Sequence, residues 1–331
     1  MISGIIGSNS SQLPKMASNV PDINAKPASV EKRMKRWLIN DNISVKEYLM
    51  PFAAALLRNL GLPEIVLAID GSVVGRGCVT LMVSVIYKKR ALPLGYIVVE
   101  GKKGHLPEDC HLQLLECIYP LIPENTGRVV LLGDGEFDGI RLQEQMEKWG
   151  WKYVCRTAVS NVFFIEDEPF TIGALASMLP QGFYNKVKNV KFTHRKYGPV
   201  TLIAWWEEGH KEPLYLVSNF TSGKMACNYY EKRFRIETFF SDQKSRGFNI
   251  HKSHLSDPER LARLLIASCI AYIWIIFLGT FALNNGWVKI IHRKDRCDLS
   301  LFQLGLRLLE YFLDHDRPFP VSFAMITPPL E

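Results

Sequence analysis

The sequence predicts an α/β fold, a mixed sheet flanked by helices, and three observations carry that prediction. Two short apolar runs, Ile65 to Ile69 and Val129 to Gly133, each end on an aspartate, Asp70 and Asp134, and read as buried strands. Between them, Cys78 to Tyr87 and Ala91 to Val99 are strand-like and joined by the turn Lys88-Lys89-Arg90, so they pair antiparallel. Helical stretches from Pro107 to Tyr119 and from Gly139 to Trp149 separate the later strands, and Trp151 to Arg156 is a fifth strand.

Composition allows such a domain. With 331 residues, 47% apolar and 22% charged, the chain has the make-up of an ordinary globular protein, with room for one large or two modest domains. A net charge of +7 leans mildly toward a polyanionic partner. Seven scattered cysteines without a Cys-x-x-Cys pair read as reduced thiols, mostly small core residues, and not as zinc ligands or disulfides.

From the N-terminus, residues 1 to 30 are rich in Ser, Asn, Pro and Gly and suggest a loosely ordered lead-in. They lack the basic-then-apolar layout of a signal peptide, so no export is expected. Ser29 is read as the cap of a helix carrying Lys32, Arg33, Lys35 and Arg36, a cluster equally suited to a DNA backbone or to a solvated helix face. Ser44 to Leu60 reads as one further helix.

Beyond the fifth strand, residues 157 to 226 read as a β-strand insertion. Lys186 to His194, Val200 to Trp206 and Leu214 to Ser218 have strand character, with a turn at Lys196-Tyr197-Gly198-Pro199. Lys188, Lys191 and Arg195 are either edge-strand protection or DNA contacts. Leu264 to Leu283 carries no charge and meets the length test for a membrane span. Its Ser268, Cys269, Gly279 and Thr280, and the lack of a second span, favour a buried core helix starting near Asp257-Pro258. The basic tract His292 to Arg296 and an amphipathic helix from Leu299 to Asp314 make a helical tail.

The most informative stretch is Tyr229 to Lys244. Taken as one helix, it places Tyr230, Arg233, Glu237 and Lys244 within an arc of about 60°, beside an apolar stripe of Tyr229, Ile236 and Phe240. Mixed charge at helical spacing ordinarily means a surface helix with internal ion pairs. The pattern Tyr-x2-Arg-x3-Glu-x6-Lys, however, resembles the signature of the DDE transposases of bacterial insertion sequences, the IS4-like group. The order of three antiparallel strands, helix, strand, helix, strand, with acids ending the first and fourth strands, is that of an RNase H-like domain. The resemblance spans roughly residues 60 to 285, and Phe137 matches the family's Asp-x-x-Phe form, although Gly135 and Glu136 depart from its commonest version.

That resemblance implies a catalytic domain made of residues 63–156 and 227–285, a β-rich insertion at 157–226, an N-terminal helical segment at 1–62 and a tail at 286–331. It implies that Asp70, Asp134 and Glu237 hold two Mg²⁺ or Mn²⁺ ions, hard cations that prefer carboxylates. Tyr230, Arg233 and Lys244 would grip DNA phosphates, and Trp205 or Trp206 would receive a flipped base, although a strand tryptophan is more often core. The implied partners are double-stranded DNA, at element ends and target, and a second copy of the chain assembled on DNA; the implied setting is the cytoplasm, without a membrane. The N-terminal segment is short beside relatives with a separate end-recognition domain, so it is a minimal version or a truncated copy. A transposase-derived DNA-binding protein without activity and a nuclease of the same fold are the rival readings.

Overall fold

The structure, a computed structural model, describes residues 1–21, 24–101, 106–293 and 297–323. Lys294 to Arg296 of the basic tract lie outside the described residues.

The N-terminal segment is ordered helix, contrary to the expected loose lead-in. Its helices are α1 (Ile2–Ser8), α2 (Leu13–Ser18), α3 (Pro27–Leu38), α4 (Val45–Tyr48) and α5 (Met50–Leu60). Ser, Asn, Gly and Pro punctuate helices here instead of dissolving them: Asn9 ends α1 in a left-handed conformation and Pro14 opens α2. Gly4 lets α1 approach α2, since a Cβ there would stand 2.8 Å from the Met16 carbonyl oxygen, and Ile5 and Met16 are fully buried. Ser29 is not a cap, because Pro27 already opens α3. The single helix expected over 44–60 is two, since Pro51 starts a new first turn; Ser44 does cap the first piece and Gly61 ends the second.

Next come β1 (Glu64–Gly75), β2 (Cys78–Tyr87), β3 (Arg90–Glu100), α6 (Glu108–Ile118), β4 (Arg128–Gly133), α7 (Ile140–Lys148) and β5 (Lys152–Arg156). Residues 157–226 contribute β6 (Val162–Ile165), β7 (Glu168–Thr171), β8 (Tyr184–Phe192), β9 (Tyr197–Trp205) and β10 (Leu214–Ser218). All ten strands form one mixed sheet in the order β3-β2-β1-β4-β5-β10-β9-β8-β6-β7. Among neighbouring strands, β1–β4 and β4–β5 pair parallel and the other pairs are antiparallel. This mixed sheet flanked by helices agrees with the RNase H-like fold that the sequence predicts, and residues 157–226 extend the same sheet.

Three strand readings need correction. β1 does not stop at Asp70 but continues to Gly75, because its hairpin with β2 keeps pairing beyond the last β4 contact. β6 and β7 are missing from the sequence reading because they are four residues each, too short to show a period, and β7 is exposed throughout. The β8–β9 turn is at Thr193 to Lys196, and Gly198-Pro199 belongs to β9; pairing with β8 lapses there because proline has no N–H to donate.

The remaining helices are α8 (Gly223–Tyr230), α9 (Arg235–Gln243), α10 (Pro258–Asn284), α11 (Val288–Ile291) and α12 (Leu301–Asp314). Asp257 caps α10, its Oδ1 accepting from the Arg260 N–H at 2.8 Å. The charge-free stretch of α10 is mostly buried within the protein, so its apolar length is spent on the fold's own core. α12 lies against it in direct backbone contact: a Cβ on Gly305 would sit 1.9 Å from the Ile275 carbonyl oxygen. Buried Arg263 fastens the N-terminal segment to α10 by donating to the carbonyls of Leu38 and Ile43 and to Asp41.

Candidate active site

Strand register brings the two aspartates together. Ala68 pairs with Leu132 across the parallel β1–β4 ladder, so Asp70 and Asp134, each two residues further on, stand side by side at one sheet edge. Neighbouring strands lie about 5 Å apart. Asp70 is buried, at 1% exposure. Asp134 opens a tight turn in which its Oδ1 accepts from the Glu136 N–H at 3.0 Å and its carbonyl accepts from the Phe137 N–H at 3.1 Å. Phe137 folds back into the core against His111, over a strand end whose Gly133 has no side chain to collide with it.

The other two acids of this turn face elsewhere. Glu136 accepts from the Leu106 N–H at 3.0 Å. Asp138 accepts from Thr157 and Asn161, and burial raises its pKa.

The signature stretch is not one helix. α8 ends at Tyr230, Glu231 to Phe234 tighten into a 3₁₀ turn, and α9 begins at Arg235. In a 3₁₀ turn residues three apart eclipse each other. Arg233 accordingly lies over Tyr230, its Cζ 5.6 Å from the ring centroid. The apolar stripe survives the break: Tyr229, Ile236 and Phe240 are all buried.

Arg233 is the hub. Its guanidinium is buried, donates to Glu237 Oε1 at 2.8 Å and lies 4.0 Å from Asp70 Oδ2. Burial works against its charge, and Tyr230, Glu237 and Asp70 outweigh that, so its pKa is raised. Burial pushes the Tyr230 hydroxyl up to about 12, while Arg233 and Arg156 pull it down and Asp134 pushes it up. Lys244, at the end of α9, donates from Nζ to Ser72 Oγ at 2.7 Å, two residues past Asp70 on β1. Tyr230, Arg233, Glu237 and Lys244 thus gather around Asp70 and Asp134.

Two neighbours escaped the sequence reading. Ser72 sat beyond the supposed end of β1. Arg156 closes β5 beside Asp134, since Gly133 pairs with Cys155. The signal was available: β5 ends on a charge at the sheet edge where β1 and β4 carry theirs.

The expected insertion contacts scatter. Lys186 is level with Arg156 across β10 and β9 (Arg156 with Leu216, Leu216 with Ile203, Ile203 with Lys186). Lys188 is one step further along β8. Lys191 is exposed and donates to the Gly198 carbonyl at 3.0 Å, and Arg195 lies in the β8–β9 turn, about 20 Å down the strand from the acidic edge. Trp205 stands at the acidic edge but is buried, while Trp206 is half-buried and donates from Nε1 to the His210 carbonyl at 2.9 Å.

Among the described residues, no three His, Cys, Asp or Glu side chains converge closely enough to hold an ion as they stand. The donor set nevertheless fits a hard divalent cation. It is all carboxylate, Asp70 is held rigidly in mid-strand, and Glu237, whose side chain is 51% exposed in the first turn of α9, has room to turn inward.

The chain belongs to the family described as the transposase DDE domain, whose model matches residues 63–274. The matched span opens just before β1 and closes inside α10, so it takes in the whole sheet and the signature stretch. No curated protein matches the chain.

Proposed function

We propose that this transposase domain acts as an insertion-sequence transposase of the IS4-like group, cutting DNA at the element's ends and joining those ends to target DNA. The observation that carries the proposal is the placement of Asp70 and Asp134 at one sheet edge with Arg233 reaching from Asp70 to Glu237. Asp70, Asp134 and Glu237 would hold two Mg²⁺ or Mn²⁺ ions, which supply an activated attacking oxygen and offset the charge on the leaving one.

The chain's own groups do the rest. Arg233 offsets the mutual repulsion of the carboxylates and holds Glu237 over the strand ends. Tyr230, neutral at any physiological pH, is a hydrogen-bond donor for a phosphate oxygen. Arg156 and Lys244 flank the acids with fixed positive charge for the strand's phosphates, Lys244 being steadied by Ser72. In the first step a water oxygen bonds to phosphorus as the bond to the 3′ oxygen breaks, and that oxygen takes a proton. The freed 3′-hydroxyl then attacks phosphorus in the target, gives up its proton and expels the target's own 3′ oxygen.

In this reading residues 63–156 and 227–285 form the catalytic domain, 157–226 widen it for DNA, 1–62 brace it, and 286–331 form its tail. The protein works as a homodimer on double-stranded DNA in the cytoplasm, independent of membranes. Incubating it with Mg²⁺ or Mn²⁺ and a plasmid carrying the DNA that flanks its gene tests the proposal. Wild type should cut at discrete ends, and Glu237→Gln should lower the rate by more than about 100-fold, beyond what loss of an outer-shell partner costs. Binding without any cutting by wild type would replace the enzyme with a DNA-binding relic.

A further inference from the structure

Asp138 is a half-buried acid that the chemistry above does not use. It lies four residues after Asp134, on the same loop leaving β4, and its Oδ2 accepts from Thr157 Oγ1 at 2.6 Å and from Asn161 Nδ2 at 3.2 Å. Asn161 Nδ2 also donates to Thr157 Oγ1 at 2.7 Å. Thr157, itself buried, directly follows Arg156, and its N–H is anchored to the Tyr215 carbonyl of β10 at 2.8 Å. From the other side, Gln143 of α7 donates to the Asp138 carbonyl at 2.7 Å and accepts from the Tyr153 hydroxyl of β5 at 2.8 Å. The loop after β4 and the loop after β5 are therefore stitched together by one side chain, with a second stitch through Gln143.

We propose that Asp138 is a positioning residue that ties the Asp134 turn to the end of β5, setting the place of the Arg156 guanidinium relative to the Asp134 carboxylate. The inference rests on the reading of Arg156 as a phosphate contact. A guanidinium recognises a phosphate through directed, paired hydrogen bonds, so a small drift of its backbone costs affinity even when its charge is kept. What the stitch requires of residue 138 is an acceptor oxygen, not a charge. Burial raises the Asp138 pKa, which fits that requirement, and an asparagine oxygen can accept the same two hydrogen bonds.

The test is a double-mutant cycle on DNA binding, read by fluorescence anisotropy of the full chain with a labelled duplex of the DNA flanking its gene. Asp138→Ala and Arg156→Ala are each expected to weaken binding by about tenfold, the lower end for loss of an outer-shell partner. The double variant should be no weaker than Arg156→Ala alone, and Asp138→Asn should bind within about threefold of wild type. Thr157→Val, which removes the donor and keeps the shape, should repeat the Asp138→Ala result and serves as the test if Asp138→Ala does not fold. Penalties that add in the double variant, or an Asp138→Asn as weak as Asp138→Ala, would overturn the proposal while leaving Arg156 a phosphate contact. Arg156→Ala binding like wild type would remove the phosphate role and the proposal together. A protein that binds but never cuts refutes the enzyme reading and leaves this cycle readable.

Discussion

The two halves of the sheet use the same backbone ladder for different ends. In β3-β2-β1-β4-β5 the strands are sandwiched between helices; β2 is buried at every residue and β1 at all but three. In β10-β9-β8-β6-β7 protection fades outward until β7 is exposed at every residue and β8 shows lysines to solvent. The first half holds Asp70 rigidly, because it lies in mid-strand in a packed core. The second half trades burial for charged surface. In the function proposed above, metal-facing chemistry and DNA-facing breadth would be separated along one sheet, and the contrast can be broken from either side.

The largest effect is expected where a single methyl group meets the packed half. A Cβ on Gly133 would lie 2.5 Å from the Phe137 Cβ, whereas one on Gly135 would meet nothing within 4 Å. Gly133→Ala should therefore cost about 1–3 kcal/mol by overpacking and displace the Asp134 turn, while Gly135→Ala, one residue past Asp134, should stay within about 0.5 kcal/mol. Chemical denaturation of both variants checks this, and equal stabilities would mean that the Asp134 turn is not held by its packing.

A smaller effect separates the halves by their response to acid. Between β3 and α9 the buried pair Arg90–Asp242 (2.8 Å) has its carboxyl pushed up to about 6, burial outweighing the pull of Arg90 and Arg246. In the outer half the exposed pair Lys196–Asp167 (2.6 Å) has its carboxyl pKa lowered by the lysine. Asp242 takes up its proton in the folded state before the unfolded chain does, so this group adds stability as pH falls from about 6 toward 4. The gain is about 1–2 kcal/mol, a tenfold difference in proton affinity between the folded and unfolded chain being worth ~1.4 kcal/mol. Asp167 acts oppositely, losing its contribution only below the ordinary aspartate range. Melting curves should show wild type gaining on Asp242→Asn between pH 7 and pH 5, and no such trend against Asp167→Asn.

The smallest effect is expected at the surface of the outer half. Lys188→Ala, Lys191→Ala and Arg195→Ala should leave the melting temperature unchanged. Each residue that touches phosphate should lower the salt dependence of DNA binding by about one unit of slope. By its position Lys188 should show this most and Arg195 least, and the reverse ranking would place DNA across the far turn instead of the acidic edge.

Much of this was legible in the chain. Asp70 and Asp134 stood out because strands buried on both faces read as unbroken apolar runs, so an acid at their end is conspicuous. The end of β1 was misplaced for the same reason: Gly-Ser after Asp70 looks like a turn, and only the hairpin with β2 carries the strand onward. The 3₁₀ turn at Glu231 to Phe234 was invisible, since helix wheels assume one pitch and residues 229–244 satisfy it. Ser72 and the ties of Asp138 needed tertiary information, because what singles them out is the strand or loop beside them and not their own neighbours in sequence, whereas Arg156 was marked in the sequence as the charge that closes β5. The helices at 2–8 and 13–18 were hidden by composition, their Ser, Asn and Gly serving as caps and close contacts.

The most direct test of the central claim, that Asp70, Asp134 and Glu237 form one divalent-cation site, is Mn²⁺ binding measured by calorimetry on wild type and on Asp70→Asn, Asp134→Asn and Glu237→Gln. Wild type should bind Mn²⁺, each substitution should weaken that binding, and Arg233→Ala, which frees Glu237, should not abolish it. Mn²⁺ binding that is unchanged in all three carboxylate variants would place the ion elsewhere and contradict the account.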